Sequence, residues 1–168
     1  PDELAAGIAP LNLRGPLALD GAVELRKGPA VDDPVSSNWD FNIDIENGQL
    51  QCGTTISNIH GEVRLVGAAT EQGMYSRGEL NIDSLMYHGF QFTRLTGPIW
   101  IDRERVAFGA WADQPRQGQP PRRLQATVLG GTVSGDVHVA LDGHKYFTLQ
   151  AQLDQADLAQ YAREHVPR

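Results

Sequence analysis

The segment spanning residues 122–153, RRLQATVLGGTVSGDVHVALDGHKYFTLQAQL, carries the clearest structural signal in this sequence. Its apolar residues occupy every second position in three runs, which are separated by Gly130-Gly131 and by Asp142-Gly143. A period of two gives a strand one buried and one solvated face, and such pairs supply the positive φ that two-residue hairpin turns need. The segment therefore predicts a meander of three antiparallel strands joined by two tight turns.

The same alternation continues through the upstream part of the chain. It predicts strands at 11–26, 39–46, 54–66, 74–87, 90–101 and 105–111, with Asn47-Gly48 as a hairpin turn. Eighteen glycines and ten prolines suit a protein rich in turns. We predict that residues 1–168 form a single all-β domain of about nine or ten mostly antiparallel strands, curled into a half-open sheet or a flattened barrel.

The arrangement of apolar residues and glycine in one predicted strand recurs in another. The stretch Ile56-x-x-Ile59-x-Gly61-x-Val63-x-Leu65 matches Phe92-x-x-Leu95-x-Gly97-x-Ile99-x-Ile101. In both copies the apolar parity flips between the first and the second apolar residue, which requires an extra residue in the strand and therefore a bulge. Repeated bulges favour a curved sheet. Chance similarity between alternating sequences is the alternative explanation of the match.

The C-terminal part of the chain changes from a strand pattern to a helical one. Apolar residues at helical spacing follow the last predicted strand, at Leu158, Tyr161 and Ala162. Asp154 is a suitable N-cap, and Arg163 suits the negative end of the helix dipole. We predict one short α-helix over 154–163, which must pack on the sheet because about two to three turns are marginal alone.

Composition excludes several classes of function. The net charge of -7 argues against a nucleic-acid partner, because phosphate binding requires a basic patch. No stretch approaches the roughly 18 apolar residues of a membrane span. The single cysteine, Cys52, excludes an internal disulfide. Because the chain opens at Pro1, we expect it to be a segment of a longer repetitive protein.

A possible catalytic triad occurs on one predicted strand. Ser134, Asp136 and His138 alternate and therefore share a face, but successive residues on one face of a strand lie about 7 Å apart. Nucleophile, base and orienting acid must lie within about 3 Å of one another. A solvated outer face is the better interpretation, and we predict no enzymatic role.

Other residue types that could form a site are scattered. No histidine pair has the spacing of a helical metal site, and we predict neither a metal nor a cofactor; the histidines are His60, His88, His138, His144 and His165. Acidic residues that could serve glycoside hydrolysis fit an acidic outer face better: Asp40, Asp44 and Glu46. Aromatic residues that could stack on sugars are also suited to core packing: Trp39, Trp100, Trp111, Phe90 and Phe92.

Two runs in the C-terminal third resemble the C-terminal region of AsmA-like proteins: LQATVLGGTVSGDVHV and FTLQAQLDQADLAQYA. That family is similar in architecture to TamB-like and bridge-like lipid-transfer proteins. The matching features are Gly130-Gly131, Ser134-Gly135 and Asp157-Leu158. The resemblance implies a long bacterial envelope protein whose repeated strands form a curved, apolar-lined groove linked to lipid transport or outer-membrane homeostasis. It also implies a periplasmic or envelope location and a tether to the inner membrane outside this segment.

The apolar face leaves two functional alternatives open, because a sheet with one apolar face must close on itself, pack on a second layer or cover a ligand. The first is a non-enzymatic groove that contacts acyl chains of phospholipid or another lipid. Its candidate contact residues are Leu124, Val128, Val133, Val137, Val139, Phe147 and Leu149. The second is a structural or protein-binding module with a packed interior, and a carbohydrate-binding domain is a minor third.

The expected partners other than lipid are β-strands. Neighbouring β repeats of the same chain are one such partner. The predicted strand 11–26 lacks the clustered lysine or repeated proline that protects natural sheet edges. We therefore expect self-association through this strand.

Overall fold

The computed structural model describes residues 13–30, 33–51, 54–115, 117–141, 146–157 and 159. Its strands are β1 (Leu13–Arg14), β2 (Leu17–Lys27), β3 (Val35–Gln51), β4 (Thr55–Thr70), β5 (Gly73–Tyr87), β6 (Phe90–Asp102), β7 (Arg105–Phe108), β8 (Leu124–Val128), β9 (Gly131–Ala140) and β10 (Phe147–Asp154). One 3₁₀ turn, Gly109–Trp111, follows β7. All ten strands join a single antiparallel sheet, which is curved and does not close into a barrel. The predicted all-β fold is confirmed.

Two pairs of short strands each share one position in the sheet. β1 and β2 both pair with β3 and are separated by Gly15-Pro16. β7 and β8 both lie between β6 and β9, and the loop that contains the 3₁₀ turn separates them. The order across the sheet is therefore β1/β2, β3, β4, β5, β6, β7/β8, β9 and β10. Within the described residues, β1/β2 and β10 form the two edges.

The bulges predicted from the recurring pattern are present in both copies. Asn58 in β4 and Arg94 in β6 have φ of 51° and 54°, and each lies between the two apolar residues whose parity flips. The strand register shifts at both places. Gly61 and Gly97, which occupy equivalent positions three residues later, have φ of 140° and 149°. The extra residue keeps apolar side chains on one face on both sides of the bulge.

The prediction of a hairpin turn at Asn47-Gly48 is wrong. Asn47 has the expected positive φ of 53°, but it lies inside β3, where the register with β4 shifts between Ile45 and Gly48. The strand continues because Leu50 pairs with both Leu13 and Ile56. An asparagine with positive φ is compatible with a bulge as well as with a turn. Here the pairing of β3 with strands distant in sequence favours the bulge.

The hairpin turn between β8 and β9 is one residue earlier than Gly130-Gly131. Leu129 and Gly130 form it, with φ of 50° and 73°. Gly131 begins β9 and must be a glycine, because a Cβ there would contact Asp154 O of β10. The other turn predicted in this meander, Asp142-Gly143, lies outside the described residues.

The hydrophobic core forms on the face that we call the inner face, and it draws on the middle strands. The buried apolar side chains of this cluster come from β3 to β7: Ile45, Ile59, Val63, Leu65, Leu80, Ile82, Ile99 and Val106. Val106 is fully buried. Burial of each such side chain contributes about 1.5–3 kcal/mol, so the middle of the sheet is the stable part of the fold.

The predicted C-terminal helix lies largely outside the described residues, which omit 158 and 160–168. Asp154 is the last residue of β10, where it pairs with Thr132, so its predicted role as N-cap is wrong. Instead Asp157 Oδ1 accepts a hydrogen bond from Ala159 N at 2.9 Å. Among the described residues, no helix has the length and hydropathy needed to span a bilayer.

Candidate functional site

The seven candidate lipid-contact residues all lie on the inner face. Cross-strand partners share a face, and Val137 of β9 pairs with Phe108 of β7 and with Leu149 of β10. Val139 likewise pairs with Val106, which is fully buried, and with Phe147. The same alternation along β8 and β9 places the other three there: Leu124, Val128 and Val133.

Exposure of this face increases from the middle of the sheet to its edges. Val128 is only 6% exposed, and Leu124 and Val139 pack against the core. In contrast, Phe147 is 64% exposed and Leu25 at the opposite edge is 70% exposed. We call the exposed apolar residues of the inner face the apolar margins: Leu17, Leu19, Val23, Leu25, Val35, Phe147, Leu149 and Leu153. Any ligand of the inner face meets the margins before the core.

Trp39, a candidate for stacking on sugars, is a core residue. It is 4% exposed, and its indole Nε1 donates a 3.1 Å hydrogen bond to Ser76 Oγ. The indole crosses β4 above Gly67, where a Cβ would lie 2.5 Å from the ring. Phe92 is also on the inner face and partly buried.

The outer face carries two separate sets of ion pairs. Arg64 of β4 contacts Asp40 of β3 at 2.8 Å, and this hydrogen bond lowers the pKa of the Asp40 carboxyl. Arg122 joins the loop after the 3₁₀ turn to β5, because its Nη2 lies 2.6 Å from Glu79 and 3.1 Å from Asp113. The hydrogen bond to Glu79 raises the pKa of Arg122. The loop is thus tied across the outer face, where it buries Pro98.

A shallow cleft of about 340 Å³ lies between this loop and the outer face. Its lining includes Arg64, Val66, Arg77, Trp100 and Arg122. The Trp100 ring stacks on Tyr75 at 5.4 Å, and its indole Nε1 donates to Asp102 Oδ2 at 2.8 Å. Arg64 and Arg122 are already paired with carboxylates, so Arg77 is the cation of this cleft best placed to meet an anion.

A second depression, of about 570 Å³, follows the row of bulges. Polar side chains dominate its lining, among them Asn47, Asn58, His60, Ser84 and Gln91. His60 Nδ1 accepts a hydrogen bond from Asn47 N at 3.4 Å.

The residues of the possible triad have separate structural partners. Asp136 is 4% exposed. Its carboxylate accepts hydrogen bonds from Arg123 Nε at 2.8 Å and from Ala110 N at 2.7 Å. The His138 ring stacks on Tyr146 at 5.6 Å and meets the edge of Trp111 at 6.1 Å. Asp136 therefore anchors the 3₁₀ turn to β9, and His138 belongs to an aromatic cluster.

The remaining candidates lie apart from one another. Among the described residues, no three His, Cys, Asp or Glu side chains come close enough to share a metal ion. Asp44 and Glu46 point outward from β3 and are exposed. His144 and His165 lie outside the described residues. His88 forms a turn with Gly89, and its Nε2 lies 3.5 Å from Thr54 Oγ1.

Sequence reasoning missed the burial of Asp136 and its ion pair with Arg123. Alternation assigned both residues to the solvated face, and Asp136 lies on that face, opposite Gln150 of β10. The loop between β7 and β8 folds over Asp136, with Gly109 and Ala110 at its start and Arg123 at its end in contact with the carboxylate. The one sequence signal was Gly109, whose φ of 72° turns the chain over Asp136; a Cβ there would lie 2.5 Å from Asp136 Oδ1.

Comparison with family models, with curated proteins and with solved structures finds no match to this chain. The AsmA-like resemblance stays a prediction from the residues that carry it.

Proposed function

We propose that this chain is a non-enzymatic module of a longer bacterial envelope protein, and that its inner face contacts lipid acyl chains. The observation that carries the proposal is the set of apolar margins. Leu19, Leu25 and Phe147 are each more than 60% exposed, and they lie on the face that forms the core. An acyl chain would cover these side chains and continue the apolar surface of the core.

The location of the margins limits where the lipid would lie. The core already fills the inner face between β3 and β7. The acyl chain would therefore run along β10 or β2, beside Phe147 and Leu149 or beside Leu19 and Leu25. Contact with Val128 would require the packed middle of the sheet to open, because that residue is 6% exposed.

A phospholipid with a photoreactive diazirine in one acyl chain tests the proposal. After irradiation, mass spectrometry of peptides should find labels on β10 and β2. Native mass spectrometry of the purified chain should also detect co-purified phospholipid. A bare mass together with labels spread over both faces would favour the packed structural or protein-binding module instead.

A matched pair of variants on one strand sharpens the experiment. Leu149→Ser removes an exposed apolar side chain from the inner face of β10, and we expect it to reduce labelling of that strand several-fold. Gln150→Ser changes the adjacent residue on the outer face and should leave labelling unchanged. Equal losses in the two variants would show that the label reports a damaged strand.

A further inference from the structure

The two edges of the sheet run in opposite directions. Every pair of neighbouring strands is antiparallel, and β1/β2 and β7/β8 each occupy one position. Within the described residues the sheet thus has eight positions, so its first and last strands are antiparallel to each other. Two copies placed side by side in the same orientation bring β10 of one copy antiparallel to β2 of the next.

One hydrogen bond fixes which backbone groups of β2 have no partner in another described strand. Glu46 N donates to Pro16 O at 3.2 Å, so these residues form a hydrogen-bonded pair. They continue the register of β2 with β3, which has no shift. Since bonded and non-bonded pairs alternate in an antiparallel ladder, even-numbered residues of β2 bond to β3. Its odd-numbered residues direct N–H and C=O towards the open edge.

In β10, as in β2, the odd-numbered residues direct their backbone N–H and C=O to the open edge. Ala140 N donates to Tyr146 O at 2.9 Å, and this pair continues the register of β10 with β9. Even-numbered residues of β10 therefore bond to β9. Odd-numbered residues direct their backbone groups outward: Phe147, Leu149, Ala151 and Leu153.

At both edges, the residues whose backbone N–H and C=O point to the open edge are the same residues whose side chains lie on the inner face. The odd-numbered residues of β2 and β10 are also the ones on the inner face. A junction that keeps the apolar face continuous thus places free N–H and C=O groups of the two edges opposite each other. For L-residues, the direction of a strand ties the face of each side chain to the side of its backbone groups, so this match follows from the opposite directions of the two edges.

We propose that the open edge of β10 binds the open edge of β2 in a second copy of this chain, head to tail. With Leu149 opposite Val23, Ala151 lies opposite Gly21 and the larger apolar residues meet one another. Four residues of β10 then face four of β2, and about eight backbone hydrogen bonds form. One such junction places the β10 margin of one copy beside the β2 margin of the next, whereas a two-fold pairing of β2 with β2 leaves the β10 margin at an open edge.

Cross-linking of two single-cysteine variants tests the direction of this junction. Both carry Cys52→Ser; one adds Val23→Cys and the other, labelled with ¹⁵N, adds Leu149→Cys. A short bis-maleimide should join one copy of each variant when the two are mixed. Products that contain only one variant would indicate two-fold pairing, and the absence of cross-linked species would indicate a free monomer; either result overturns the proposal.

Two controls accompany this experiment. Glu62→Cys in place of Leu149→Cys puts the thiol on the outer face of β4, away from both edges, and should give no product with Val23→Cys. Sedimentation of Leu25→Pro against Leu25→Ala isolates the backbone, because only proline removes the outward N–H of Leu25. We expect association at least about tenfold weaker in the proline variant than in the alanine variant.

The proposal depends on the backbone groups and side-chain faces of the two edges and does not require lipid binding. If the junction forms and no lipid is found, only the proposed function fails. If lipid labels the margins of a strictly monomeric chain, only the junction fails.

Discussion

The indole of Trp39 on β3 reaches across β4 and donates a hydrogen bond to Ser76 on β5. The distance from Nε1 to Oγ is 3.1 Å, and both residues are buried. Gly67 lies between them in the register, since it pairs with Trp39 on one side and with Ser76 on the other. The bond ties three successive strands together near the end of the sheet opposite the bulges.

Replacement of the acceptor tests this bond. Ser76→Ala leaves a buried indole N–H without a partner, so we expect the free energy of unfolding to fall by about 1–3 kcal/mol. Urea denaturation provides the measurement. In a Trp39→Phe background the same substitution should cost far less, and an equal cost there would mean that the bond does not contribute.

Gly67 should not tolerate a side chain. A Cβ would contact the Trp39 ring at 2.5 Å and Tyr75 O. Gly67→Ala therefore requires the indole and the strand to move, which we expect to destabilise the protein by about 1–3 kcal/mol. Thermal unfolding followed by Trp fluorescence reports both stability and the environment of the indole. Unchanged stability and emission would contradict the close approach.

The ion pair of Arg123 and Asp136 should contribute to stability. Asp136→Ala leaves the Arg123 guanidinium and Ala110 N without their acceptor, and we expect a loss of about 3 kcal/mol, the lower end for a buried pair because Arg123 is partly exposed. Ser134→Ala, two residues away on the same face, should change stability by less than about 0.5 kcal/mol. Chemical denaturation of both variants makes the comparison, and similar losses would point to a general weakness of β9.

The stability of variants at position 94 should depend on how well the new residue tolerates the positive φ of the bulge. Arg94→Asn and Arg94→Val both lose the hydrogen bond to Thr127 Oγ1, so their difference isolates the backbone. Valine is strained at a φ of 54°, and we expect that variant to be less stable by about 1–2 kcal/mol. The same order should hold at Asn58 for Asn58→Gly against Asn58→Val. A reversed order at either position would argue against the bulge.

The Asp102 carboxyl should make stability depend on acid pH. Burial raises its pKa, but hydrogen bonds from the Trp100 indole and from Glu104 N and Arg105 N outweigh that effect and hold the pKa below its usual value. A lowered pKa in the folded state stabilises the protein above the unfolded-state pKa of about 3.9. This stabilisation is lost as the pH falls through the folded-state value.

Asp102→Asn removes this titration. We expect the variant to be less stable than the original chain at neutral pH by about 1 kcal/mol, and the difference to shrink below about pH 4. Urea unfolding across the acid range measures it. A difference that stays constant with pH would mean that the charge of Asp102 is not responsible.

Much of the architecture follows from local sequence. Period-two alternation assigned Leu124, Val137 and Leu149 to one face, and that assignment holds because side chains of a strand must point alternately to its two sides. The parity flips in β4 and β6 located the bulges at Asn58 and Arg94, since only an extra residue returns an apolar side chain to the same face.

Only the tertiary structure decided the features that depend on distant parts of the chain. Asn47-Gly48 became a bulge because Leu50 found partners on both neighbouring strands. Asp136 became buried because a loop folds over the outer face, and alternation does not encode what lies above a face.

The face of a side chain and its exposure are likewise determined at different levels of structure. Leu149 and Val128 share the inner face, yet one is 54% exposed and the other 6%. The sequence by itself determined the face of each side chain, because that depends on the residue's own backbone. The curvature of the sheet and the position of each strand within it decided which of those side chains are covered, because burial depends on neighbours supplied by other strands.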